Sequence, residues 1–162
     1  MKHTSLFLLG LLALPLAAAP EYPMMGADIY DPTADGTKQI AAALKKAETG
    51  HKHVLLVFGA NWCIWCHRLH ATFETDSAVA RVLAEKFEVV SIDVNTQKGV
   101  KRNADVNERY GTPTKHGLPV LVVLDASGKQ LTTQDTGELE VGDKHDPKKV
   151  IAFLERWAPT KS

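Results

Sequence analysis

Val54-Leu55-Leu56-Val57-Phe58-Gly59-Ala60-Asn61-Trp62-Cys63-Ile64-Trp65-Cys66-His67 contains the only two cysteines of the 162-residue chain, with two residues between them. The stretch opens on an apolar run of strand length, breaks at Gly59 and passes into a polar segment that suits a helix. That order sets Cys63 at a helix N-terminus, at the end of a buried strand. There, unpaired backbone N–H groups and the positive end of the helix dipole favour a thiolate over a thiol. Two thiols one helical turn apart close into a disulfide with little backbone movement, so the pair can exchange two electrons with another dithiol.

Outward from this stretch the pattern alternates between helix and strand. Upstream, Asp35 is a helix N-cap, Ile40, Ala43, Leu44 and Ala47 recur at helical spacing, and Gly50 ends the segment. Past the cysteines, Leu69 and Phe73 continue the first helix. Asp76 caps another, with Val79, Val82 and Leu83 on its inner face. Phe87 to Val94 predicts a second strand, residues 101–110 a short helix stopped by Gly111, and Pro119 to Leu124 a third strand. A turn at 125–128 leads to Gln130–Thr136, whose polar alternation marks an edge strand. Gly137 to Asp146 reads as an acidic loop without the regular carboxylate spacing of a calcium loop. Pro147 then opens a helix with Val150, Leu154 and Trp157 on one face. The order specifies an α/β fold, a mixed central sheet of about four strands with helices on both faces.

The N-terminus has a different layout. Met1 to Ser5 is a short positive start, Leu6 to Leu16 is apolar, and Ala17-Ala18-Ala19 supplies small residues for cleavage. Residues 1–19 therefore read as a secretory signal peptide, too short in its apolar part to span a bilayer comfortably. Residues 20–34, with Pro23, Gly26 and Pro32, read as an extended lead-in, packed on the surface or partly mobile, and 35–162 as one domain. Nineteen basic and nineteen acidic residues cancel without blocks of like charge, so nucleic acid and anionic membranes are not implied as partners. In an oxidising compartment both cysteines are used by one motif, so the fold stands on its apolar core.

Phe58-Gly59-Ala60-Asn61-Trp62-Cys63-Ile64-Trp65-Cys66, together with Gly117-Leu118-Pro119, resembles the thioredoxin superfamily over roughly residues 35–158. Within it the chain looks most like small exported thioredoxin-like proteins. The resemblance implies a thioredoxin fold with Cys63 as nucleophile and Cys66 as the resolving thiol. It also implies a cis Pro119 facing the cysteine pair, with the Leu118 backbone free to pair with an extended client. A trans proline at the first residue of a strand is the other reading of Pro119. Trp62 matches the family tryptophan before the first cysteine; it would shield the thiols and is a candidate client contact. Ile64-Trp65 replaces the Gly-Pro of thioredoxin itself, and both are candidate client contacts; Trp65 could instead cover the sheet. Val57 stands where thioredoxins carry a buried aspartate that assists proton transfer at the resolving cysteine, so either the resolving step is slower or His67 or a water takes the proton.

Two other chemistries use the same residues. Cys63-Ile64-Trp65-Cys66-His67 is also the c-type haem attachment pattern, although the methionines, Met1, Met24 and Met25, all precede it. Cys63, Cys66, His67 and His70 fall at i, i+3, i+4 and i+7, one helical face whose donors suit copper or zinc. A structural zinc site, by contrast, needs four ligands, and the chain lacks a second cysteine pair. His116, beside Pro119, reads as an exposed loop residue within reach of clients. The sequence therefore predicts an exported, periplasmic, monomeric thiol–disulfide oxidoreductase without metal or other cofactor. It would reduce disulfides in proteins or small thiols with electrons from a membrane dithiol donor. The competing class is a metal- or haem-handling protein.

Overall fold

The computed structural model describes residues 25–160; the signal-peptide reading of 1–19 lies outside the described residues. Among the described residues five α-helices, α1 (Gly36–Gly50), α2 (Ile64–Thr75), α3 (Ser77–Lys86), α4 (Ala104–Arg109) and α5 (Pro147–Trp157), surround a sheet of four strands. The strands are β1 (His53–Gly59), β2 (Phe87–Asp93), β3 (Val120–Leu124) and β4 (Gln130–Asp135), in the order β2-β1-β3-β4. β1 runs parallel to β2 and antiparallel to β3, and β3 antiparallel to β4. The expected α/β thioredoxin arrangement is present.

β1 lies between two strands and is covered on both faces, which is why its sequence is apolar throughout rather than alternating. Val54, Leu56 and Phe58 point to the side of α1 and α4, with Ile40, Ala43, Ile92, Val106 and Val122. Leu55 and Val57 point to the other side, with Leu69, Val79, Leu83, Val150 and Leu154 of α2, α3 and α5. Each such fully buried aliphatic side chain contributes about 2 kcal/mol through burial.

The helix starts follow the expected caps. Asp35 accepts from the Lys38 amide, Asp76 from Ala78 and Val79, and Asp146 from Lys148 and Lys149, with Pro147 in the first turn of α5. Each cap is worth about 1 kcal/mol. α4 is shorter than the expected 101–110 because Asn103 takes a left-handed conformation (φ 48°) just before it. The Asn103 side chain ties two elements together, accepting from the Gly36 amide and donating to the Asp93 carbonyl, both at 2.8 Å.

Two segments differ from the sequence expectation. Residues 137–146 are not a plain acidic loop: they hold part of a 3-10 turn (Thr136–Leu139) and a hairpin, β5 (Glu140–Val141) with β6 (Lys144–His145). The hairpin forms because it closes over α2, burying His145 against Trp65. The described part of the lead-in, from Met25 onward, is docked at Tyr30, which is 3% exposed. Among the described residues no helix is long and apolar enough to cross a membrane.

Candidate active site

Cys63 is the N-cap of α2, in extended conformation, and its sulfur stands where a serine or aspartate oxygen commonly caps a helix. The Cys66 amide donates to Cys63 Sγ at 3.2 Å. The Cys63 thiol in turn donates to the Leu118 carbonyl at 3.5 Å, and the Leu118–Pro119 peptide bond is cis. The residue pair expected from the resemblance is therefore placed directly at the first cysteine. Pro119 is fixed from behind by Thr136, whose hydroxyl donates to the Pro119 carbonyl at 2.5 Å.

The two sulfurs have opposite electrostatics. The Cys66 thiol hydrogen-bonds to Cys63 and, with the backbone N–H groups of Cys66 and Trp65, lowers the Cys63 pKa below the ordinary thiol value despite partial burial. Cys66 is one turn deeper, 1% exposed against 6% for Cys63, and burial followed by its partner sulfur pushes it far above the thiol range. Both are free thiols. An acidic outer sulfur and a protonated inner one match the roles of attacking and resolving groups.

Around the pair, Trp62, Trp65 and Leu118 pack against a cluster of Tyr30, Cys63 and Cys66. Trp62 Nε1 donates to Asn95 Oδ1 at 2.8 Å, which fixes the indole beside the cysteines. Ile64 is 44% exposed next to Cys63. Trp65 lies between the Arg68 guanidinium, 4.4 Å from a ring centroid, and the perpendicular His145 ring at 5.7 Å. It covers the β5-β6 hairpin.

The histidines diverge. His67 Nε2 donates to the Asn61 carbonyl at 2.8 Å, and His70 pairs with Glu74 at 3.4 Å. Among the described residues no three of His, Cys, Asp and Glu are grouped to hold a metal ion. His116 is exposed. Val57 packs among Leu69, Leu121 and Val123, so no carboxylate enters from that position.

Tyr30 lies in no motif, and Asn61, although inside the cysteine motif, has no role that the sequence assigns. Tyr30 packs in one buried cluster with Cys63 and Cys66, and its hydroxyl favours the Cys66 thiolate. It occupies the space above Gly59, where any Cβ would overlap the hydroxyl and come within 2.7 Å of Cys66 Sγ. The break in the strand pattern at Gly59 was the available signal: a glycine before the cysteine turn leaves room that some other side chain fills.

A thioredoxin-like sequence family matches residues 35–126. The chain belongs to the thioredoxin-like family. Among solved structures, a disulphide isomerase from Xylella fastidiosa Temecula1 is 35% identical, with a TM-score of 0.69 over 79% of this chain and 95% of that one. The disulfide bond reductase DsbH of Chlamydia pneumoniae is 28% identical over 97 residues, 56% of this chain and 57% of DsbH. The thiol:disulfide interchange protein DsbD of Actinobacillus pleuropneumoniae serotype 5b (strain L20) is 33% identical over 90 residues, 55% of this chain and 14% of DsbD. This thioredoxin-like chain thus spans just over half of DsbH and a small part of DsbD.

Proposed function

We propose that this protein is a thiol–disulfide oxidoreductase in which Cys63 attacks a client disulfide and Cys66 resolves the resulting mixed disulfide. The observation that carries this reading is the cysteine pair at the start of α2: Cys63 Sγ accepts from the Cys66 amide and donates to the Leu118 carbonyl, and its pKa is lowered while that of the deeper Cys66 is raised. In the first step the Cys63 thiolate forms a bond to one client sulfur and the other client sulfur leaves with the electron pair. In the second, Cys66 loses its proton and attacks Cys63. The Cys63–Cys66 bond forms, and the remaining client thiolate departs and is protonated. Ile64, Trp62 and the Leu118 backbone frame the surface on which an extended client segment would lie.

Reduction is the favoured direction, supported by the likeness to a protein named as a disulfide bond reductase. The layout of residues 1–19 supports export to the periplasm, where clients would be disulfide-containing proteins or small thiols. A reductase there needs electrons from elsewhere, and a membrane dithiol carrier is the partner this requires. No metal or other cofactor enters the two steps.

Trapping tests the reading. A Cys66→Ser variant accumulates a covalent adduct with a disulfide client, and Cys63→Ser does not; adduct formation through Cys66 alone would overturn it. Equilibration with glutathione then fixes the direction, since a potential above that of protein disulfide isomerase would exclude reduction.

A further inference from the structure

The inner sulfur poses a chemical problem. Cys66 is 1% exposed and must become a thiolate before it can attack, yet Val57 and Leu69 beside it offer no charge or hydrogen bond. Two groups favour its thiolate, the Ala60 backbone N–H and the Tyr30 hydroxyl, and the hydroxyl shares with Cys66 Sγ the space above Gly59. Tyr30 is held there by three hydrogen bonds between the Asn61 amide and the backbone of residues 29 and 30. Gly59 provides the space for its hydroxyl.

We propose that the Tyr30 hydroxyl stabilises the Cys66 thiolate by hydrogen bonding during the resolving step, making Tyr30 a catalytic residue of this protein. The inference rests on the division of roles between Cys63 and Cys66 set out above. In the mixed disulfide, the Cys66 S–H gives up its proton to solvent, and the Tyr30 O–H donates to the sulfur that remains. The electron pair of that sulfur then forms the Cys63–Cys66 bond, and the client thiolate leaves and takes a proton from water. Tyr30 keeps its own proton throughout. Burial, and then the charge that develops on Cys66, hold its phenol well above the ordinary range, with the buried, Arg102-paired Asp93 acting in the same sense. A route for the departing proton is present. A cavity of about 220 Å³ has Tyr30 and Cys66 in its wall, and the exposed His70–Glu74 pair also lines it. The titratable groups facing this site are Cys63, Asp93, His70 and Glu74.

A chromogenic aromatic disulfide that frees one coloured thiolate at each displacement separates the two steps in a stopped-flow experiment on the reduced protein. The first release reports attack by Cys63 and the second resolution by Cys66. Tyr30→Phe keeps the ring and deletes the hydroxyl. The first release is expected to stay within about twofold of the parent and the second to slow by about tenfold or more, as befits loss of a hydrogen bond to a charged group. The pH profile of the second release moves to higher pH. A second release with parental rate and pH profile overturns the proposal, as does equal slowing of both. If Tyr30→Phe does not fold, site-specific replacement of Tyr30 by fluorotyrosine makes the hydroxyl a stronger donor. The second release must then accelerate and its profile move to lower pH; no change overturns the proposal. Absence of the first release, or its persistence in Cys63→Ser, would instead refute the roles assigned to the cysteines.

Discussion

Asn61 holds the Tyr30 backbone at both ends of its side-chain amide: Oδ1 accepts from the Tyr30 N–H at 2.8 Å and Nδ2 donates to the Tyr30 carbonyl at 2.9 Å. Oδ1 also accepts from the Ile29 N–H at 2.9 Å. One buried side chain in the turn before the cysteines thus fastens the N-terminal segment over the active site. Replacing it leaves buried backbone groups without partners, at a cost of about 1–3 kcal/mol for each group that water cannot reach. Asn61→Ala is expected to lower the unfolding free energy by about 2 kcal/mol or more in denaturant titrations. Amide exchange should accelerate at Ile29 and Tyr30 while the β1 amides remain protected. Parental exchange at residues 29 and 30 would show that Asn61 is not the fastening.

Gly59 tests the same contact from the opposite side. A methyl group there cannot coexist with the Tyr30 hydroxyl, and would meet Cys66 Sγ at 2.7 Å, closer than real Cβ atoms come. Gly59→Ala should therefore cost about 1–3 kcal/mol, the usual penalty for overpacking a buried site. The loss should be smaller in a Tyr30→Ala background, where the obstructing ring is absent. Equal losses in the two backgrounds would place the strain elsewhere.

These contacts also show where sequence reading stopped. The unbroken apolar run of β1, the aspartate caps at 35, 76 and 146 and Pro147 are local signals, each acting within a few residues, and the four-strand sheet followed from them. The cysteine pair and Gly117-Leu118-Pro119 were legible as motifs, although 55 residues separate Cys63 from Leu118. Tyr30 has no periodicity around it, and its partners lie 31 residues away at Asn61 and beyond at Cys66, so only the folded chain brings them together. His145 failed for the same reason: in a polar stretch it read as loop, whereas tertiary contact with Trp65 buries it completely.

The two thiols should differ sharply in alkylation. Hydrogen bonds from Cys66 and the backbone lower the Cys63 pKa, so its thiolate fraction, and hence its rate, rises at a lower pH than for an ordinary thiol. Burial raises Cys66, so it should stay unmodified across the neutral range in the native protein and react only after unfolding. Peptide mapping after limiting iodoacetamide is expected to find the label on Cys63. Preferential labelling of Cys66 would contradict the assigned electrostatics.

His145 should make the fold acid-sensitive. Its ring is fully buried, neither nitrogen has a hydrogen-bond partner among the described residues, and burial followed by the Arg68 charge lowers its pKa from the ordinary 6.5 to about 4. Above pH 6.5 the ring is neutral in both folded and unfolded chains, and stability is undiminished. Between pH 6.5 and about 4 the unfolded chain binds a proton that the folded chain refuses, so stability falls as pH falls. At about 1.4 kcal/mol per pH step, the loss approaches about 3 kcal/mol. Glu140, with Oε1 3.8 Å from His145 Nε2, has its pKa raised by burial and therefore acts in the opposite sense, favouring the folded state as it protonates. Comparison with a variant isolates the histidine. His145→Leu removes two unpartnered polar atoms along with the proton site, so it should remain within about 1 kcal/mol of the parent at neutral pH. Its stability should decline less between pH 6.5 and 4 when followed by denaturant titration. A variant that weakens as steeply as the parent over that interval would show that His145 is not the group refusing the proton.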